Sequence, residues 1–223
     1  MNLLAIETSS DACSVAVASA GRVFNEHRIE ARSHTRELIP MIRRQLTSAG
    51  LTPGELNAVV LGNGPGSFIG MRIGASVAQG IAFAAGLPIV AVSSLAAVAE
   101  AVIARHSVTD VRIVQDARMA EVYCAEFRRS DEGYAEALGE TRLIPAEDLA
   151  ALSPMPLAGG AWSKHPALLE QLPAKSPVLP ENEPDALFLL DAGRRALDAG
   201  LEIDPADLEP GYLRQTVAAI PQR

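Results

Sequence analysis

Between Gly62 and Gly74 the chain reads GNGPGSFIGMRIG, five glycines and one proline in thirteen residues. Such a stretch is neither an ordinary strand nor an ordinary helix. A glycine-rich turn at a helix start gathers backbone N–H groups, which suits an anion, or it lets two backbones approach closely. Both readings stay open here. No Gly-Lys-Ser/Thr follows, so this is not a Walker loop. The spacing from Gly62 and Gly64 reaches Ser67 rather than glycine, so it is not GxGxxG either. A second cluster, DARMAEVY, sets Asp116, Arg118, Glu121 and Tyr123 around a strand connection. Two carboxylates could share acid–base work, although an Arg118 ion pair fixing the hairpin fits the same residues. His34 invites a metal reading. A helical ligand pair needs a partner one turn on, and that position is Leu38. Cys13 lies in an alternating Ser-Val-Ala run, where packing is the ordinary role.

The elements that would position these groups follow from periodicity. LLAIETS, CSVAVAS and the run Gly21–Ile29 alternate as three strands joined by short turns. A helix is expected over 35–48, ended by Gly50, with Pro40 near its first turn or bending it. NAVVLGNG reads as a buried strand running into the glycine turn. A helix over 70–85, a strand PIVAVSS and an alanine-rich helix over 94–105 complete a β-β-β-α-β-α-β-α order. Beyond it VRIVQDAR and EVYCAEFRR restart as strands, with a turn near Met119. PMPLAGGAW suggests a short strand, KHPALLEQL a short helix and PDALFLLDAGRRALDAG a longer one. The sequence thus predicts an α/β protein with lobes 1–102 and 103–223, the second reduced, and a boundary near residue 102.

The helix after the glycine turn carries Gly70, Gly74, Ala78 and Ala82 on one face, with Ile73, Val77 and Ile81 beside them. No charged residue occurs between Arg72 and Glu100. A helix uncharged all round is buried on every side or covered by a partner. The preceding helix spreads Leu38, Ile39, Met41, Ile42 and Leu46 over more than one stripe. These residues, excepting Ile39, are the candidate partner interface.

Residues 1–100 are neutral, with seven basic and seven acidic side chains, so the second half carries the whole net charge of −8. No basic face is apparent, which argues against this chain holding tRNA by itself. The start MNLLAIETSS lacks a signal-peptide pattern, and no apolar run of the roughly 18 residues a membrane span needs is expected. Two scattered cysteines read as reduced core residues of a cytosolic chain.

Taken together, MNLLAIETSSDACSVAVASAGRV, SHTRELIPMI, GPGSFIGMRIG, DARMAEVY and PGYLR resemble the TsaB/YeaZ family in order and spacing. Glu7 departs from a common aspartate and Ile69 from a common threonine. The resemblance implies an actin-like, two-lobed, non-catalytic protein of cytoplasmic location, with no cofactor or metal of its own. Its partners would be the catalytic subunit TsaD and the ATPase TsaE. The complex would transfer threonylcarbamoyl to N6 of adenosine 37 in ANN-decoding tRNAs, tRNA being reached only through it, and the chain alone would form a homodimer. The catalytic relative carries a His-x-x-x-His metal helix, which Leu38 interrupts here. The family-motif positions are Gly64, Pro65, Gly66, Ser67, Phe68, Gly70, Arg72, Asp116, Arg118, Glu121 and Tyr123. The first-lobe helices would form the contact. The alternative is an ATP-dependent phosphotransferase of the same fold, for which Glu7, Asp11 and the Gly64–Gly70 turn are the candidates. A protease finds no nucleophile–base pair in the sequence.

Overall fold

The structure, a computed structural model, describes residues 1–30, 33–170, 172 and 176–213. Strands β1 (Leu3–Glu7), β2 (Ala12–Ser19) and β3 (Arg22–Ile29) form an antiparallel meander. Helix α1 (His34–Ala49) then leads to β4 (Ala58–Gly62), α2 (Phe68–Ala85), β5 (Ile89–Val92) and α3 (Ser94–Arg105). The first sheet runs β3-β2-β1-β4-β5, with β4 and β5 added in parallel by the helical crossovers. Pro40 lies inside α1 and faces solvent. Its ring removes one backbone donor without breaking the helix.

The alternation of β1 sorts two cores. Leu4 and Ile6 face α1 and α2 with Leu38, Met41, Ala78 and Ala82. Leu3 and Ala5 face the opposite layer with Leu189 and Leu190. That layer is α5 (Leu189–Asp198), from later in the chain, and Gly193 is where it approaches the sheet closely. A β-carbon there would stand 2.4 Å from a methyl of Val60.

The second sheet is built from β6 (Asp110–Asp116), β7 (Glu121–Arg129), β8 (Ala135–Ala137), β9 (Arg142–Pro145) and β10 (Leu157–Ala158), in the order β10-β6-β7-β8, with β9 also paired to β7. Its outer face packs on Trp162 of α4 (Ala161–Lys164) and on Leu149 and Leu168. Its inner face packs on α3 through Leu95, Val98, Ala99 and Val102. Ala97 of the same helix reaches the first sheet's core. Helix α3 is therefore wedged between the two sheets, which accounts for its lack of charge before Glu100.

Residues after 102 do not stay with the second sheet, because Asp185–Leu208 returns to the first. α5 covers its open face, Ile203 pairs with Ile89, and Leu208 joins the α1–α2 core. An apolar layer that lobe 1–102 touches through Ala97 of α3 is covered by a helix from later in the chain. Helix α2, at 18 residues and a mean hydropathy of 1.3, passes for a membrane span by length and composition, yet it carries Arg72 and packs Ala75, Ala78 and Ala82 into the first sheet's core. The strands β8 and β9 had no counterpart in the sequence reading.

Candidate functional site

The glycine turn is closed by the loop that follows β1. Ser67 N–H donates to the Ser9 carbonyl (2.6 Å), Thr8 Oγ1 donates to the Gly70 carbonyl (2.8 Å), and Gly64 N–H donates to Ser94 Oγ (3.0 Å). Ser67 caps α2, its hydroxyl accepting from Gly70 N–H at 3.3 Å. These are donors that an anion would have used. The glycines have a local cause. A β-carbon on Gly66 would stand 2.2 Å from the Ser9 carbonyl oxygen, and one on Gly70 2.0 Å from that of Thr8. Of the two readings left open by the sequence, close backbone approach is the one these contacts realise. The Gly64–Pro65 peptide is cis.

Beneath this junction lies Glu7, wholly buried. Its Oε1 accepts from Ser9 N–H at 2.6 Å, and its Oε2 has no hydrogen-bond partner among the described residues. Burial pushes its pKa up against the hydrogen bonds from Ser9, Ser94 and Thr8. A β-carbon on Gly62 would collide with this carboxylate at 1.9 Å.

Above it opens a cleft of about 400 Å³ between the two sheets' units. Its first wall is Ser9–Asp11 and Pro65–Ile69, and its second includes Asp116, Arg118, Tyr123, Lys164 and Glu183. Lys164 Nζ reaches across to Asp11 at 3.5 Å. Asp116 pairs with Arg118 at 3.3 Å and with His165 Nε2 at 3.1 Å. The ion-pair reading of DARMAEVY thus describes Arg118. The turn that presents it runs through three non-glycine residues at positive φ, Arg118, Met119 and Ala120. Burial raises the pKa of Glu183, whose Oε2 also lacks a partner among the described residues.

The motif near the C-terminus completes the mouth. Arg72 stacks on the Phe68 ring at 3.8 Å and donates to the Tyr212 hydroxyl at 2.8 Å. Gly211 N–H donates to Asn63 Oδ1 at 3.2 Å. Arg214 of PGYLR lies outside the described residues. Pro65, Gly66, Ser67, Phe68, Asp116, Arg118 and Tyr123 therefore meet in one cleft. Gly64 and Gly70 lie outside its lining in the turn itself, Arg72 holds Phe68 and Tyr212 at its mouth, and Glu121, at the start of β7, is not among the lining residues. Lys164 and Glu183 were missed because they sit in the irregular segment whose folding has no periodic signal.

His34 is buried, and its Nε2 lies 3.0 Å from the Ala12 carbonyl, so the imidazole serves the core. Ser14 donates to Asp185 at 2.8 Å while His27 Nδ1 lies 3.5 Å from the same carboxylate. With the carboxylate between hydroxyl and imidazole, the order is wrong for a hydrolase relay. Both cysteines are buried and free, and burial raises the Cys13 thiol to about 12.

The candidate interface residues fall mostly inside. Leu38, Met41, Ile42, Leu46, Gly70, Gly74, Ala78 and Ala82 are buried within the chain itself, and Ile73, Val77 and Ile81 are half-buried. The stripe of small side chains is thus a core face, shaped by Thr8 and Leu61 at Gly74. What faces outward is a neighbouring groove of about 410 Å³ between α1 and α2. Ile39, Ile42, Arg43 and Leu46 form one bank, Pro53 closes an end, and Ser76, Val77, Gly80 and Ile81 form the other. Ile39 of this bank is 48% exposed, and Phe83, three residues beyond Gly80 on α2, is 80% exposed.

Comparison with known proteins gives the geometry a family. The family model described as TsaD, tRNA N6-adenosine threonylcarbamoyltransferase, matches residues 27–168. The tRNA threonylcarbamoyladenosine biosynthesis protein TsaB of Haemophilus influenzae is 34% identical over 97% of this chain and 95% of its own. TsaB of Escherichia coli is 34% identical over 98% and 96%. The solved structure of YeaZ from Pseudomonas aeruginosa superposes with a TM-score of 0.86 at 32% identity, covering 95% of this chain and 99% of that one. Another solved structure, described as an uncharacterized protein with similarity to peptidase YeaZ from Pseudomonas aeruginosa, gives the same TM-score at 33% identity. The fold is the actin-like one expected from the resemblance, and the chain belongs to the TsaB/YeaZ family.

Proposed function

We propose that this chain is a non-catalytic subunit in the biosynthesis of tRNA threonylcarbamoyladenosine, and that it acts by docking a TsaD-type transferase on the groove between α1 and α2. The observation that carries the reading is the groove itself, an open apolar recess of about 410 Å³ with Arg43 as its one charged lining residue. Exposed apolar surface concentrated on one face marks a protein contact, and a core depleted of charge is usual for such contacts. Alone, the chain would pair with itself through the same face. TsaE would join the assembled complex in the cytoplasm, and tRNA would be held by the complex rather than by a chain of net charge −8. Lobes 1–102 and 103–223 remain the proposed division, with Asp185–Leu208 returning to the first.

The test is co-purification with the TsaD-type subunit of the same organism, followed by tRNA modification with and without this chain. Stable binding and a dependence of modification on the chain are expected, and Ile81→Glu should abolish both. Modification that proceeds equally well without the chain would overturn the proposal.

A phosphotransferase remains the second reading, because Asp11, Asp116 and Glu183 place carboxylates in the cleft. The glycine turn, however, spends two of its donors on Ser9 and Ser94. Calorimetric titration with ATP and magnesium decides it, and no heat of binding is expected.

A further inference from the structure

The cleft between the two sheets' units holds hydrogen-bonding groups that the chain itself leaves unused. Tyr123 is only 6% exposed, its ring packed in the same core as Leu95. It pairs in register with Gln115 across β6 and β7, so both side chains leave one face of the second sheet, and both line the cleft. Among the described residues the Tyr123 hydroxyl makes no hydrogen bond. Gln115 in turn ties down the neighbouring loop. Its Nε2 donates to the Asn182 carbonyl at 2.8 Å and its Oε1 accepts from Gly160 N–H at 2.9 Å. Glu183 follows Asn182, with the buried Oε2 already described. Gly160 keeps the space between these acceptors open. A β-carbon there would stand 2.8 Å from Gln115 Oε1 and 3.3 Å from Glu183 Oε1.

The charges decide what fits. Lys164 is taken by Asp11 and Arg118 by Asp116, so neither lining cation is left for Glu183. An anion would meet three carboxylates, and the N–H groups of Gly64 and Ser67 are spent on Ser94 and Ser9. We propose that this cleft is a binding site for a small organic ammonium ion, a primary amine on a short apolar stem. The three N–H groups donate to Glu183, to the second lone pair of Gln115 Oε1 and to the Tyr123 hydroxyl. The stem lies along Met71, Leu95 and the Phe68 ring, which line the same cleft. Burial raises the pKa of Glu183, and an ammonium supplies the compensation that a buried carboxylate lacks. A volume of about 400 Å³ is in the range of small-molecule sites. The cleft shares no lining residue with the α1–α2 groove, so the site stands whether or not the docking reading does.

Phenethylamine and hexylamine are the probes, with phenylethyl alcohol as the uncharged control and hydrocinnamate as the anionic one. Each is titrated into the full-length chain at neutral pH, and binding is followed by amide NMR shifts. At least one amine should bind saturably, with shifts centred on Gln115, Tyr123 and Glu183, and about tenfold more tightly than either control. Glu183→Gln should weaken that binding about tenfold and Tyr123→Phe about threefold, with far-UV circular dichroism unchanged in both. If the alcohol binds as well as the amines, the cleft is a plain apolar recess and the proposal falls. It falls equally if hydrocinnamate binds best, if neither amine gives a saturable shift, or if Glu183→Gln binds as the parent does. Should Glu183→Gln fail to fold, Tyr123→Phe, which removes only a hydroxyl, decides: unchanged affinity there overturns the site.

Discussion

Replacing Gly70 with alanine tests whether the glycine turn exists for backbone approach. The added β-carbon would stand 2.0 Å from the Thr8 carbonyl oxygen, and both sides of that contact are backbone. Reaching an ordinary contact of 3.4 Å requires the start of α2 to withdraw by about 1.4 Å from the loop after β1, and cores resist such shifts at about 1–3 kcal/mol. Withdrawal also stretches the 2.8 Å bond from Thr8 Oγ1 to the Gly70 carbonyl, a further cost of about 1 kcal/mol. Alanine returns at most about 1 kcal/mol of helix preference, and less this close to the N-cap. The net expectation is a destabilisation of about 2–3 kcal/mol, or about 5–10 °C in melting temperature for a chain of this size. Urea unfolding followed by circular dichroism measures it, with a lowered midpoint and an unchanged slope. Gly74→Ala should cost less, because its collision partner is the Thr8 hydroxyl rather than backbone, and Thr8→Ala should partly rescue it. A Gly70→Ala protein as stable as the parent would refute the argument that the glycines answer to Thr8 and Ser9.

Three further expectations concern charge. Glu7 has a raised pKa in the fold, owing to burial first, so the folded state holds its proton more tightly than the unfolded chain. Stability should fall as pH rises from about 4.5 through the folded pKa, and Glu7→Gln should flatten that part of the profile. His27 is raised by Asp185 against the opposing effect of burial. Its contribution is present below the unfolded value of about 6.5 and lost as pH rises through the folded one, and His27→Gln should remove that loss. Arg72→Ala should cost about 1 kcal/mol by removing the stack on Phe68 and the bond to Tyr212. A double-mutant cycle with Tyr212→Phe should show a non-zero coupling between Arg72 and the hydroxyl.

The first sheet and its helices were legible because each signal was local. Alternation in LLAIE and ACSVAVAS gives strands, Gly50 and Gly86 end helices in the left-handed conformation, and Ser67 caps α2. The strands β8 and β9 were not, since three or four residues carry too little pattern to read. Periodicity also could not say whether Gly70, Gly74, Ala78 and Ala82 face in or out. A helix laid closely on a sheet and a helix crossing another helix ask for the same small side chains. Only the position of Thr8, sixty-two residues from Gly70, decides it. The return of α5 was hidden for a similar reason. LLDAGRRALDAG announces an amphipathic helix, but not that the layer awaiting its apolar face belongs to the other sheet.

The residues that identify the family and those offered to a partner are largely different sets. Gly66 and Gly70 are fixed by the backbone of Ser9 and Thr8, Arg72 by Phe68 and Tyr212, and Arg118 by Asp116. Each motif thus records a contact inside the chain. The groove is lined by Ile39, Val77, Gly80 and Ile81 among others, of which Val77, Gly80 and Ile81 lie outside every motif that carried the resemblance. Packing constrains a motif residue from all sides, whereas a groove residue with open space above it answers only to what docks there. Partner choice should therefore be alterable at Gly80 and Ile81 without loss of fold, while substitutions in GPGSFIG should cost stability before they touch assembly.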